Sequence, residues 1–179
     1  RGSGATLIEQ DAAAFRAYEG KGPVWSLFAQ GNMSYDLDRN DAEQPSLAEM
    51  TAKALEVLDR HENGFFLMVE GAKIDYAGHS RCLPGSIIEM LSFDLAVAEA
   101  LKFADRNGET LVVVTADHET GGMAIGYKTT NYDTFLTNLA HQKMSYAKFD
   151  STYVQNYIAN KTPFEAAMQD VKANFGLTL

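Results

Sequence analysis

Residues 64–80, GFFLMVEGAKIDYAGHS, carry an unbroken apolar run, Phe65 to Val69, that stops abruptly at Glu70 and is followed by Asp75 and His79. Consecutive apolar residues without polar alternation fit a short strand covered on both faces, as in a parallel sheet. Residues 110–118, TLVVVTADH, repeat the arrangement, with a second apolar run ending in Asp117 and His118. Between the two runs, Ser86 and Glu89 have capping-box spacing. An amphipathic helix is predicted from Ile87 to about Arg106, closed by Asn107 and Gly108. Strand, helix, strand is the βαβ unit, whose right-handed crossover makes the two strands parallel. The predicted fold class is α/β: a partial, doubly wound parallel sheet flanked by helices, with a C-terminal helical insertion.

Parallel strands end on the same edge of a sheet, where open α/β folds bind their ligands. Glu70, Asp75, His79, Asp117 and His118 all stand at or just past such ends. They are the candidate metal ligands. A catalytic metal site needs charged oxygens and neutral imidazoles, with a position left for water or substrate. Asp75 and His79 are at i and i+4, so on a helical turn both side chains point the same way. Asp117 and His118 are adjacent and can share an ion only in a loop, where Gly121 and Gly122 would leave room for it. Glu70 offers an all-oxygen environment, better suited to Mg²⁺ than to Zn²⁺. A plainer reading stands beside this one, in which each Asp caps the next turn and each His is its hydrogen-bonded neighbour.

Outward from this centre, residues 11–18 form a short helix candidate, and residues 23–30, PVWSLFAQ, read as a buried strand. Residues 31–45 are polar and turn-rich. Their acids Asp36, Asp38 and Asp41 lack the glycine and distal glutamate of a calcium loop, so a solvated loop is expected. Ser46 and Glu49 form a capping box ahead of a helix on which Leu47, Met50, Ala54 and Leu58 repeat at helical spacing. Three short helices are expected at 130–144, 147–159 and 163–175, the last opened by Thr162, Pro163 and Glu165 with proline at the first helical position. The predicted division is an α/β part, 1–127, and a helical insertion, 128–179.

The chain has 179 residues, 46% of them hydrophobic and 11% aromatic, enough for a real core and unlike a disordered chain. Fifteen basic and 24 acidic residues leave a formal charge of −9, which argues against a nucleic-acid surface. No apolar run reaches the roughly 18 residues needed to span a bilayer. The lone Cys82 lacks an evident base and reads as inert. His61 fits a helix end, His141 a helical pattern, and Ser151 a helix cap rather than a nucleophile.

The motif TADHETGG at 115–122 and the segment VEGAKIDYAGH at 69–79 resemble the alkaline phosphatase family, bacterial type. The resemblance covers roughly Val24 to Gly126, and residues 130–179 look more loosely like the helical insertion of bacterial members. It implies a phosphomonoesterase with two zinc ions, one magnesium ion and a serine nucleophile. By the resemblance, Asp75 and His79 hold one zinc, Asp117 and His118 the other, and Glu70 helps hold Mg²⁺. A homodimeric parent, periplasmic or secreted, and a phosphomonoester substrate are implied in the same way.

The chain departs from that pattern in ways that matter. It has no Asp-Ser-Ala-type nucleophile motif ahead of the matched region, so no catalytic nucleophile is assigned here, and no HTG-type segment beyond the insertion. Tyr76 and Arg81–Cys82 stand where relatives carry other residues around the ligands. With Arg1 and not Met at the start, the expectation is a fragment, inactive by itself. The alternatives are a non-catalytic α/β module that binds a metal or a partner, and a related phosphodiesterase or sulfatase-superfamily hydrolase.

Overall fold

The computed structural model describes residues 4–20, 22–122, 129, 131 and 133–178. The first ordered feature is a small βαβ unit. Strand β1 (Thr6–Glu9), helix α1 (Ala12–Arg16) and strand β2 (Val24–Leu27) follow in order, and β1 pairs with β2 in parallel, Thr6 opposite Val24 and Glu9 opposite Leu27. A parallel pair needs a crossover, and α1 provides it. Asp11 starts α1 by accepting a 2.8 Å hydrogen bond from the Ala14 amide. The inner face of this unit builds a core of Ile8, Phe15 and Phe28, with Val24, Met33 and Met50 packed on it. Phe15 and Phe28 meet edge to face at 5.1 Å, the arrangement that ring quadrupoles favour.

Helix α2 (Leu47–Leu58) begins as its sequence requires. The Ser46 hydroxyl accepts from the Glu49 amide at 3.1 Å, and the Glu49 carboxylate accepts from the Ser46 amide at 2.8 Å. Glu49 also receives the Arg16 guanidinium, Nε to Oε1 at 2.7 Å. That hydrogen bond, opposed by partial burial and aided by the Ser46 amide, pulls the Glu49 carboxyl down to about 2. Two acids of the preceding loop pair with arginine: Arg39 bonds Asp36 at 2.7 Å and also Asp41, whose backbone carbonyl accepts from Arg16. The sequence predicted a solvated loop here, and the structure adds a short 3-10 turn at Asp36–Asp38.

Helix α3 (Ala72–His79) gives Asp75 and His79 the helical turn expected of them. Helix α4 (Leu83–Asn107) ends as predicted, with Gly108 in the left-handed region at φ +74°. Its start differs. It begins at Leu83, so Ser86 lies inside the helix and caps nothing, its amide donating to the Cys82 carbonyl at 2.9 Å. Arg81, at φ +51°, turns the chain so sharply after α3 that α4 starts at once. Pro84 sits in the first turn, where its missing N–H costs no helical bond.

The two apolar runs that suggested strands are the main correction. Residues 64–70 and 110–116 join no ladder among the described residues; the parallel pair is β1 and β2 instead. Nor are the runs covered on both faces: Phe66 is 88% exposed and Leu111 86%. Along 64–70 the half-buried and exposed residues alternate, as in an extended segment with one face covered. An apolar run specifies a preference for burial. A ladder needs a second backbone alongside.

Among the described residues, a 3-10 helix (Leu136–His141) stands where a longer helix was expected at 130–144. Helix α5 (Tyr146–Phe149) continues through a π-helical turn (Asp150–Val154) into α6 (Gln155–Asn160), and α7 (Phe164–Phe175) follows. Ser145, not Ser151, caps α5, accepting from the Lys148 amide at 3.1 Å, while the Ser151 hydroxyl donates to the Lys148 carbonyl. Pro163 takes the cap position of α7 at ψ 146°, and no side-chain cap bond forms. Its carbonyl, accepting from Ala166 and Ala167, starts the helix without the Thr162–Glu165 box. Tyr157 donates to Asp170 at 2.7 Å, and burial together with that bond pushes its phenol up to about 12. The expected division at 127/128, the end of the resemblance at Gly126 and residues 130 and 132 lie outside the described residues.

The chain separates into two compact units, one of Arg1–Gly71 with Met90–Asp117 and the other of Ala72–Glu89 with His118–Leu179. No described helix is long and apolar enough to cross a membrane.

Candidate functional site

In the second unit, α3 and the loop that begins at His118 meet at unusually close range. The approach is made possible by glycine. A Cβ on Gly78 would stand 2.7 Å from the Thr120 carbonyl oxygen, and a Cβ on Gly121 would overlap the Gly78 carbonyl. Gly121 also holds φ +93°, a conformation that side chains other than glycine rarely adopt. The sequence suggested that Gly121 and Gly122 leave room for an ion. For Gly121 the structure gives a different occupant, the backbone of α3.

That contact brings polar groups together. Asp75 Oδ1 accepts a 2.6 Å hydrogen bond from the Thr120 hydroxyl, and Asp75 Oδ2 lies 3.4 Å from His79 Nε2 one turn further along α3. Thr120 Oγ1 lies 3.1 Å from His118 Nδ1, and the Glu119 carbonyl oxygen lies 3.0 Å from the same nitrogen. The Thr120 hydroxyl therefore joins Asp75 to His118, and His79 is linked to the pair through Asp75. Asp75 is half-buried, and His79 and His118 are exposed. The Glu119 carboxylate accepts from the Gly122 amide at 2.6 Å.

Of the five candidate ligands, the other two, Glu70 and Asp117, belong to the first unit, and both are exposed. Glu70 ends the extended segment that starts at Phe65. Thr120 was not singled out from the sequence. Its signal was its place in TADHETGG, two residues after His118, but only a tertiary contact pairs it with Asp75. Cys82 accepts a 3.0 Å hydrogen bond from the Gln142 amide, and Lys73 lies over the Tyr76 ring at 4.9 Å. His61 follows the end of α2, and His141 closes the 3-10 helix.

The donor chemistry suits zinc: one carboxylate and one imidazole on the same helical face, with a second imidazole linked to them. Among the described residues no three His, Cys, Asp or Glu side chains form a group that could hold an ion.

A helix-rich chain with a small parallel sheet is of the α/β class. A family model described as alkaline phosphatase matches residues 5–175, well beyond the stretch recognisable from the motifs, and the chain belongs to that family. It is 54% identical over 118 residues to an alkaline phosphatase of Escherichia coli (strain K12), a match covering 54% of this chain and 25% of that protein. Over 103 residues it is 46% identical to alkaline phosphatase 4 of Bacillus subtilis (strain 168), covering 58% of this chain and 22% of the relative. The crystal structure of a cold-active alkaline phosphatase from a psychrophilic Shewanella sp. superposes with a TM-score of 0.81 at 28% identity, covering 98% of this chain and 41% of that one. The Thermus thermophilus alkaline phosphatase gives the same TM-score at 25% identity, covering 98% and 37%. The α/β class expected from the sequence is the class of these structural relatives. The chain spans about a quarter of the length of the curated relatives quoted.

Proposed function

We propose that this chain is part of a phosphomonoester hydrolase that works with two zinc ions and one magnesium ion, and that it supplies some of their ligands. Asp75 and His79 serve one zinc, Asp117 and His118 the other, and Glu70 the magnesium. The observation that carries this reading is that Thr120 joins Asp75 to His118, with His79 beside Asp75, in a chain of the alkaline phosphatase family. When bound, such ions polarise phosphoryl oxygens and make a nucleophile available at neutral pH.

The chain's own residues orient the donors. Thr120 takes one oxygen of Asp75, leaving the other turned toward His79. The fixed i,i+4 geometry of α3 sets the carboxylate and the imidazole on one face. The Gly78–Gly121 approach keeps His118 and Thr120 against that face. The chain carries no Asp-Ser-Ala-type nucleophile motif, and negligible turnover is expected of it alone. The proposed parent acts as a homodimer in the periplasm or outside the cell.

Zinc titration of the chain by calorimetry tests this, together with turnover of p-nitrophenyl phosphate. Binding weaker than micromolar and negligible turnover are expected. Sub-micromolar zinc binding, or turnover abolished by Asp117→Ala, would show that the site is complete and the proposal wrong.

A further inference from the structure

The hydrogen count around Thr120 leads to a role for a residue outside the five candidate ligands. A threonine hydroxyl has one hydrogen to give, and an ionised carboxylate can only accept. The 2.6 Å contact with Asp75 Oδ1 therefore takes that hydrogen. The 3.1 Å contact between Thr120 Oγ1 and His118 Nδ1 can then be a hydrogen bond only if the ring nitrogen donates. The Glu119 carbonyl, 3.0 Å from the same nitrogen, is also only an acceptor. Both neighbours require the hydrogen on Nδ1, and in a neutral imidazole the lone pair then lies on Nε2.

We propose that Thr120 is a positioning residue that orients the Asp75 carboxylate and selects the His118 tautomer whose Nε2 is the donor nitrogen. The proposal rests on the metal-ligand reading above and deepens it. Thr120 suits the task for two reasons. Its backbone is held by the close packing against Gly78, and its β-branched side chain has few rotamers to lose. One hydroxyl thereby couples two donors 43 residues apart, Asp75 and His118, as outer partners of metal ligands commonly do.

The test uses the ¹⁵N-labelled chain at a pH above the imidazole range, with two-bond ¹⁵N–¹H spectra of the histidine rings and His118→Asn for assignment. Wild type is expected to show His118 protonated at Nδ1. Thr120→Val is expected to admit the Nε2–H form, and Thr120→Ser to restore the wild-type pattern. Zinc titration followed on the His79 and His118 rings should show an affinity loss of about 10–100-fold in Thr120→Val, recovered in Thr120→Ser. An unchanged tautomer in Thr120→Val overturns the proposal, since the Glu119 carbonyl would then suffice. If that variant does not fold, the wild-type spectrum decides, because an Nε2–H ring at His118 also overturns it. A tautomer shift without any zinc response in wild type would overturn the metal-ligand reading and leave Thr120's hold on the ring standing.

Discussion

Gly78 and Gly121 lie backbone to backbone, so that a single methyl group on Gly121 would overlap the Gly78 carbonyl oxygen. The site is organised around this contact, because it brings the loop carrying His118 and Thr120 onto the helix carrying Asp75 and His79. Gly121→Ala meets two penalties, the overlap and a φ of +93°, the second alone worth about 1–3 kcal/mol. Gly122→Ala faces only the backbone penalty, since nothing lies within 4 Å of its Cβ position. Urea unfolding should place the midpoint of Gly121→Ala clearly below that of Gly122→Ala. Equal midpoints would mean that the close approach is not maintained in solution.

Glu49 links stability to pH. Its carboxyl is lowered from 4.5 to about 2, chiefly by the Arg16 hydrogen bond. A depressed carboxyl stabilises the fold above its unfolded value and loses that contribution as pH falls through the folded value. The contribution of Glu49 is therefore complete above about pH 4.5 and fades toward pH 2. Since both partners are well exposed, it is small and sensitive to salt. Glu49→Gln should lower the unfolding midpoint at neutral pH, with a gap from wild type that narrows between pH 4.5 and 2. A gap independent of pH would refute the Arg16 linkage.

Two phenylalanines from apolar stretches should behave in opposite ways. Phe15 is buried in the core against Phe28, and Phe15→Ala should cost about 3–5 kcal/mol. Phe66 is 88% exposed, and Phe66→Ala should stay within about 0.5 kcal/mol of wild type. Chemical denaturation of the two variants distinguishes them. A large loss from Phe66→Ala would show that the 64–70 segment is covered in solution.

Exposed apolar side chains also predict surface behaviour. Phe66, Met68, Leu111 and Val113 are all more than half exposed, and such surface binds hydrophobic dyes. The double variant Phe66→Ser, Leu111→Ser should reduce fluorescence of bound anilinonaphthalene sulfonate and raise solubility. Unchanged dye binding would locate the apolar surface elsewhere.

Local features were the most legible in the sequence. The Ser46–Glu49 box, the helical turn joining Asp75 to His79 and the glycine after Asn107 all act within four residues, so chain spacing describes them fully. Starts that depend on the preceding turn were misread. Ser86 carries the spacing of a cap, yet the positive φ of Arg81 lets α4 begin before it. Residues 65–69 and 111–114 are apolar enough for buried strands, but pairing and coverage depend on other parts of the chain. Strand β1 escaped notice because a four-residue TLIE segment carries too little pattern to stand out.

The sequence by itself determined which side chains can act as ligands, the spacing that sets Asp75 and His79 on one helical face, and the motif by which the family is recognised. Tertiary structure alone decided that Thr120 bonds Asp75, that Gly121 makes room for α3 rather than for an ion, and that Phe66 and Leu111 stand exposed. Covalent spacing governs geometry over one helical turn. A hydrogen bond between residues 45 positions apart depends on how closely two backbones can pack, and here two glycines set that limit.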